Sequence, residues 1–270
     1  MGEMVLKPPR LTPEEYVHFF SAYDRVSPLL ISDYDGTLAP FRKEREKAVP
    51  GAQTQDLLGA ICDAGGEVIL VSGRCAEEVR QLVSLPVEIW GCHGMERLGP
   101  DGLLERAEVS PEALSKMNEF SWLFGDFPNR SVEVKYSGIA LHWRENRETA
   151  DRYAEFSRDI TNAATEAGLR ILPFDGGIEF MMPDFSKGNA LRRICSEHPY
   201  SSPICYMGDD MTDEDAFVAV REREAGVAIL VFSKLRESHA NVSIHNSEVN
   251  TFLEFWLHRM AKKGNGTDER

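Results

Sequence analysis

A doubly wound α/β core with an inserted α+β module is the fold class this sequence predicts, and three observations predict it. Short apolar runs stop abruptly at Asp, Ser or Gly and alternate with helical patterns, as in a parallel sheet with right-handed crossovers. In the middle of the chain the rhythm changes to period-2 alternation around a long helix, as in an antiparallel α+β module. The parallel pattern then resumes. The 270 residues suffice for two domains, and these shifts place a core at 1–104 and 184–270 and the module at 105–183.

In chain order, TPEEYVHFFSAYDRV from Thr12 predicts a helix, with a Thr cap, a Pro, two Glu and Tyr16, Phe19, Phe20 and Tyr23 on one face. SPLLISDYDGT predicts a buried strand ending in a loop at Gly36. A helix from Gln53 to Ala64 stops at Gly65-Gly66, and EVILVSGR is the second buried strand. CAEEVRQLV is helical, and VEIWGCHGMERL holds a third strand. After the GPDG turn come a helix, PEALSKMNEFSWLF, and the alternating SVEVKYSGIALHW. The helix ETADRYAEFSRDITNAATEAG and strand-like RILPFDGGIEFMM close the module. DFSKGNALRRICSEH is a loop entering a helix, and PICYMGDD a strand stopping at carboxylates. TDEDAFVAVRE starts a helix with Thr212 as cap and Asp215 at the capping-box position, and GVAILVF is the next strand. The last helix spans about Glu248 to Lys262 with Phe252, Phe255 and Trp256 as its apolar side, and KKGNGTDER is a frayed polar tail.

Composition narrows the function. The chain is 42% hydrophobic and 27% charged, which excludes disordered and collagen-like classes. Thirty basic against forty-four acidic residues give a net charge of −14, a poor match to nucleic acid or anionic membrane. No apolar run approaches the roughly 18 residues of a membrane helix, and MGEMVLKPPR lacks the apolar stretch of a secretory signal. A cytosolic monomer is expected. Five scattered cysteines without C-x-x-C spacing predict reduced thiols.

Four fragments sit where strands hand over to loops: Asp33-Tyr34-Asp35-Gly36-Thr37, Ser72-Gly73-Arg74, Ser186-Lys187-Gly188 and Gly208-Asp209-Asp210. In open parallel sheets ligands bind at the carboxyl ends of the strands, so the four can face one crevice. Asp33, Asp35, Asp209 and Asp210 would repel there without a cation, and oxygen-only ligands suit Mg²⁺. With a lysine and a serine hydroxyl added, the pocket suits a phosphoryl group. An aspartate can attack phosphorus, and a second carboxylate two residues on can protonate the leaving oxygen and later activate water. Lys187 at a helix start opposes the helix dipole, which favours an anionic partner.

DYDGT, the serine of LVSGR, the lysine of SKG and GDDMTDEDAF together resemble the haloacid dehalogenase superfamily of phosphotransferases. That resemblance implies Asp33 as nucleophile, Asp35 as general acid/base, and Ser72 and Lys187 as holders of the phosphoryl oxygens. It implies Mg²⁺ on Asp33, the main-chain carbonyl of Asp35, and Asp209, with Asp210 and Asp213 behind them or reaching through water. GDDMTDEDAF, WGCHGMERLGPDG and SVEVKYSGIALHWR are further similar to the trehalose-6-phosphate phosphatases, over roughly Leu30 to Phe217. By that resemblance the inserted module is a cap that closes over a phosphorylated sugar, with Glu133, Lys135 and Glu179 on sugar hydroxyls. Arg74 and His93 would lie near phosphate and sugar on the core side.

Duller readings stand beside these. Glu133 and Lys135 are also the polar face of an alternating strand, His142 reads as a plain strand residue, and Met181 and Met182 as packing. EFMMP carries those methionines where the family has a basic residue before proline. Alternatives at the same site are a mannosyl- or glucosyl-phosphoglycerate phosphatase, a sucrose-phosphate phosphatase, a phosphosugar mutase, or a catalytically weak sensor.

Overall fold

Apolar runs without alternation become strands buried on both faces. The computed structural model describes residues 6–21, 29–42, 44–144, 146–174, 176–199 and 202–264. Its elements are α1 (Tyr16–Phe20), β1 (Leu29–Ser32), α2 (Ala52–Asp63), β2 (Glu67–Val71), α3 (Ala76–Leu82), β3 (Glu88–Gly91), β4 (Glu96–Leu98) and β5 (Leu104–Arg106). Next come α4 (Pro111–Ser121), β6 (Val132–Lys135), β7 (Gly138–His142), α5 (Arg147–Glu166), β8 (Arg170–Phe174) and β9 (Gly177–Met181). The chain continues with α6 (Lys187–Ser196), β10 (Ile204–Gly208), α7 (Glu214–Arg221), β11 (Gly226–Phe232), β12 (Val242–His245) and α8 (Val249–Gly264). The chain divides into two compact units, Met1–Glu105 with Ser186–Arg270, and Arg106–Phe185.

The first unit is a doubly wound α/β layer structure. Its sheet runs β12-β11-β10-β1-β2-β3-β4-β5, parallel from β12 to β3. Leu30, Leu70, Met207 and Ile229 face α2, α3 and α8, through Leu58, Ile61, Val79, Phe252 and Trp256. Ile31, Ile69, Tyr206 and Leu230 face α6 and α7, through Leu191, Ile194 and Phe217. Burial on both sides forces each strand to be apolar throughout until it leaves the sheet. Polar chemistry is thereby confined to the strand ends. Neighbours β10, β1 and β2 release Asp209, Asp33 and Ser72 from adjacent carboxyl ends, at the point where the strand order reverses.

The second unit is an antiparallel sheet, β6-β7-β9-β8, with α4 and α5. Phe180 packs against Phe120 and Phe124, with ring centroids 5.1 and 5.7 Å apart. The register Glu133↔Ala140↔Glu179 turns the opposite face polar, with Lys135 and His142 on it.

Several elements differ from the sequence expectation. VEIWGCHGMERL is two strands, because Cys92 and His93 take left-handed backbone (φ 49° and 54°) and send β4 back antiparallel to β3. β5 and β12 carry too few apolar residues to stand out. The Thr212/Asp215 capping box is instead Asp210/Asp213, around a 3-10 turn over Met211–Asp213. The N-terminal helix is a capped 3-10 turn over Pro13–Glu15 followed by α1, and Tyr23 lies outside the described residues. α8 continues to Gly264, and the rest of the expected tail, 265–270, lies outside them too. Phe252 is fully buried against Tyr16, Phe20, Phe255 and Trp256. Phe252→Ala is expected to cost about 3–5 kcal/mol, read as a lowered urea midpoint of the first unit; an unchanged midpoint would contradict this packing.

Candidate active site

The end of β1 places Asp33 beside β10, its amide donating to the Met207 carbonyl (2.8 Å). Lys187, at the first turn of α6 after its Ser186 cap, reaches both Asp33 Oδ1 and Asp213 Oδ1 at 2.7 Å. Asp213 also accepts the Tyr206 hydroxyl (2.5 Å) on Oδ1, and the amides of Asp209 and Asp210 (3.0 Å each) on Oδ2. Asp213 is therefore the post on which the β10–α7 loop is wound. Asp210 turns away to hold Thr212, through its amide (2.8 Å) and hydroxyl (2.6 Å). Arg236 bonds Glu214 and donates to the carbonyls of Asp210 (2.6 Å) and Asp209 (3.3 Å), closing the loop from behind.

Two carboxylate oxygens remain unbonded in this buried place: Asp33 Oδ2 and Asp209 Oδ1. An orphaned buried acceptor is costly, so both await a partner. Gly36 (φ +83°) makes the approach possible, since a Cβ there would lie 2.2 Å from Asp209 Oδ2. Oxygens of Asp33, Asp209 and Asp213 lie within 4.8 Å of one another. Hard oxygen donors, two of them unsatisfied, fit a divalent cation. A cleft of about 120 Å³ opens beside Asp209, with Phe41, Lys234 and Arg236 among its walls.

The electrostatics follow from burial. Asp33 is pushed up to about 8, mainly by burial, against the pull of Lys187 and with the charge of Asp213 adding. Asp209 is pushed up to about 9 by burial and by Asp33. Burial opposes the Lys187 ammonium, but Asp213 and Asp33 outweigh it and hold its pKa well above that of an ordinary lysine.

Asp35 sits in another environment. Arg74 grips it bidentately, Nε to Oδ2 and Nη2 to Oδ1, both 2.6 Å, and also bonds Glu78 (2.6 Å) and the Arg45 carbonyl (3.0 Å). Arg74, expected near the phosphate and sugar, thus has its guanidinium hydrogen-bonded to Asp35, Glu78 and the Arg45 carbonyl. Ser72 Oγ accepts the Arg74 amide (3.1 Å), and the His93 amide donates to the Ser72 carbonyl (2.9 Å). His93 is buried with its ring over Gly73, where a Cβ would come 2.7 Å from Nε2. In the second unit Lys135 bonds Glu179 (3.0 Å) and Glu133 bonds His142 (2.9 Å).

Sequence reasoning passed over Tyr206, Arg236 and Glu78, and read His142 as a plain strand residue. Glu78 had a signal, its i,i+4 spacing from Arg74. Tyr206 and Arg236 had none, because their partners are set by tertiary structure.

The trehalose-phosphatase family model matches residues 31–248. Among curated relatives, a trehalose-phosphate phosphatase of Mycobacterium marinum is 34% identical over 215 residues, covering 76% of this chain and 54% of the relative. The chain spans about half the length of the curated relatives it matches. Among solved structures, the C-terminal domain of a Candida albicans trehalose-6-phosphate phosphatase superposes with a TM-score of 0.77 at 18% identity, covering 95% of this chain and 99% of that one. A haloacid dehalogenase-like hydrolase from Bacillus subtilis gives 0.58 at 15% identity, covering 84% and 98%. These two likenesses are of fold. No described helix is long and apolar enough to cross a membrane.

The raised values of Asp33 and Asp209 exceed those of unfolded carboxylates, near 4. Stability present below that pH is therefore lost as pH climbs through about 8 and 9 in the metal-free protein. In chelator, the melting temperature is expected to fall between pH 5 and 9, and Asp209→Asn to flatten that fall. A parent whose melting temperature is level over this range would refute the buried-charge account.

Proposed function

Since the chain belongs to the trehalose-phosphatase family, we propose that it is a Mg²⁺-dependent phosphatase that releases phosphate from a phosphorylated sugar, trehalose 6-phosphate foremost. The observation that carries this reading is the pairing at Asp33: Lys187 fixes Oδ1 while Oδ2 is left without a partner. A carboxylate so held presents one defined oxygen to an electrophile. The name of the matched family supplies the sugar.

Asp33 Oδ2 attacks phosphorus, the bond from phosphorus to the sugar oxygen breaks, and a phosphoryl group is left on Asp33. Asp35 gives the departing oxygen its proton. It then takes a proton from the water that attacks the same phosphorus, and phosphate leaves with the Asp33 carboxylate restored. Lys187 and the Ser72 hydroxyl hold phosphoryl oxygens, and Arg74 keeps Asp35 aimed. Asp33, the Asp35 carbonyl and Asp209 would hold Mg²⁺, which when bound neutralises charge on the carboxylates and the phosphoryl oxygens. Asp213 and Asp210 hold the loop that carries Asp209. In the second unit, Glu133, Lys135 and Glu179 recognise sugar hydroxyls; the contact of Glu133 with His142 and the ion pair of Lys135 with Glu179 keep them extended on one sheet face. Met181 shares the row of Lys135 and is the place where a different sugar would be selected. The free cysteines suit a cytosolic setting.

Phosphate release measured over trehalose 6-phosphate, sucrose 6-phosphate, glucose 6-phosphate and glycosyl phosphoglycerates, with Mg²⁺ and with chelator, tests this reading. A metal-dependent preference of about a hundredfold for trehalose 6-phosphate is expected, and another winner would overturn the substrate while leaving the chemistry. Asp33→Asn is expected to lower kcat at least about a thousandfold with the fold retained by circular dichroism; near-parent turnover would remove Asp33 as nucleophile. Glu133→Ala and Lys135→Ala are expected to lower kcat/KM roughly tenfold to a hundredfold for the sugar phosphate and little for an aryl phosphate. Equal losses on both would rule out sugar recognition by these residues.

A further inference from the structure

One cluster of reactive side chains near the site takes no part in the steps above. The sulfurs of Cys75 and Cys92 are 3.4 Å apart, and the Glu96 carboxylate joins them with donor atoms within 4.8 Å. Cys92 and Glu96 are buried, whereas Cys75 is partly exposed. The backbone explains the approach. Residues 72–74 and 90–93 are zipped by three bonds: Ser72 amide to the Trp90 carbonyl (2.8 Å), Cys92 amide to the Arg74 carbonyl (2.7 Å) and His93 amide to the Ser72 carbonyl (2.9 Å). At Gly91 the two segments nearly touch, since a Cβ would fall 2.2 Å from the Ala76 nitrogen.

We propose that Cys75 and Cys92 form an oxidisable dithiol, a modification site that reacts with a hydroperoxide and closes to a disulfide, slowing turnover at the neighbouring active site. The alternative occupant of two sulfurs and a carboxylate is a thiophilic cation. Tetrahedral Zn²⁺ with sulfur bonds of about 2.3 Å holds its sulfurs about 3.8 Å apart and takes four ligands. Here the sulfurs are closer and the donors are three. The remaining cysteines, Cys62, Cys195 and Cys205, are pushed up by burial, which keeps them as unreactive thiols.

The chemistry balances as follows. Glu96 accepts the proton of the Cys75 thiol, and the thiolate attacks one peroxide oxygen. The O–O bond breaks, and hydroxide leaves as water with that proton, giving a sulfenic acid. Cys92 sulfur attacks the Cys75 sulfur, the S–O bond breaks, and hydroxide leaves as water with the Cys92 proton. Two thiols lose two electrons, and one hydrogen peroxide becomes two waters. A disulfide bond of about 2.05 Å draws the sulfurs roughly 1.4 Å closer. Cys75 follows Arg74, which aims Asp35, and Cys92 precedes His93, which packs on Gly73. Displacements of about 1 Å at positioning groups cost up to about a hundredfold in rate.

The test exposes the reduced full chain to hydrogen peroxide and maps it by mass spectrometry without reductant. A peptide joining Cys75 to Cys92, about 2 Da lighter than the two thiols together, is expected, along with a loss of phosphate release of about tenfold or more that dithiothreitol restores. Cys75→Ser is expected to yield no such peptide and to keep its turnover through the same treatment. Recovery of Cys75 and Cys92 as separate thiols or as sulfinic acids would overturn the dithiol. A disulfide that leaves turnover unchanged would overturn its coupling to the site. The effect on turnover rests on the phosphatase reading, whereas the mass result judges the dithiol even if the reduced protein releases no phosphate.

Discussion

The Lys187 ammonium between Asp33 and Asp213 is the interaction on which the site depends. Three effects oppose it. Burial disfavours the charge, its place at the start of α6 sets it against the helix dipole, and its side chain loses its rotamer freedom. The two carboxylates, each at 2.7 Å, are the main offset to these costs. The same contact joins the ends of β1 and β10, because Asp33 leaves one strand and Asp213 organises the loop leaving the other. Without the lysine, Asp33 would be pushed up further still by burial and by Asp213, and the loop would lose the charge that Asp213 turns toward.

That arrangement also separates two aspartates only two residues apart. Asp33 is enclosed, with one oxygen held by the ammonium and the other unbonded. Asp35 lies within the planar fork of Arg74, both of its oxygens engaged. Environment rather than residue type thus sets these two aspartates apart, the general way one side chain can serve two purposes. The fork uses one lone pair of each Asp35 oxygen and leaves another on each, where a proton can be carried or a water met. Arg74 need not leave for Asp35 to meet a water or a departing oxygen.

The sheet was legible because a doubly wound core leaves its central strands no polar face: LLIS, EVILV, ICYMG and GVAILVF read as strands without any knowledge of pairing. Other elements escaped for physical reasons. β12 is a four-residue edge strand interrupted by Ser243, too short to show a period. The break after β3 depends on two consecutive non-glycine residues in left-handed backbone, a conformation their side chains disfavour and only tertiary contacts impose. The convergence of Asp33, Lys187 and Asp209 could be sought from the strand ends, but the bonds that hold them could not. Tyr206 reads as one more apolar strand residue, and Arg236 lies 26 residues beyond the Asp210 carbonyl it grips. Arg74 shows the converse, a charge that looked available for substrate until its partners were seen.

A site with two unsatisfied buried carboxylate oxygens is unstable in isolation, so its location in the fold matters. Asp33 and Asp209 leave β1 and β10, neighbours in the middle of the sheet that are hydrogen-bonded on both sides and apolar on both faces. Strands so placed cannot shift to relieve the repulsion without losing the contacts of two core layers. The cost of burial and repulsion is relieved by protons instead of by movement, which is why Asp33 and Asp209 are pushed up to about 8 and 9. A strand at a sheet edge, hydrogen-bonded on one side only, would yield to the same charges. The central position of β1 and β10 is therefore what lets this chain keep several buried carboxyl groups close together.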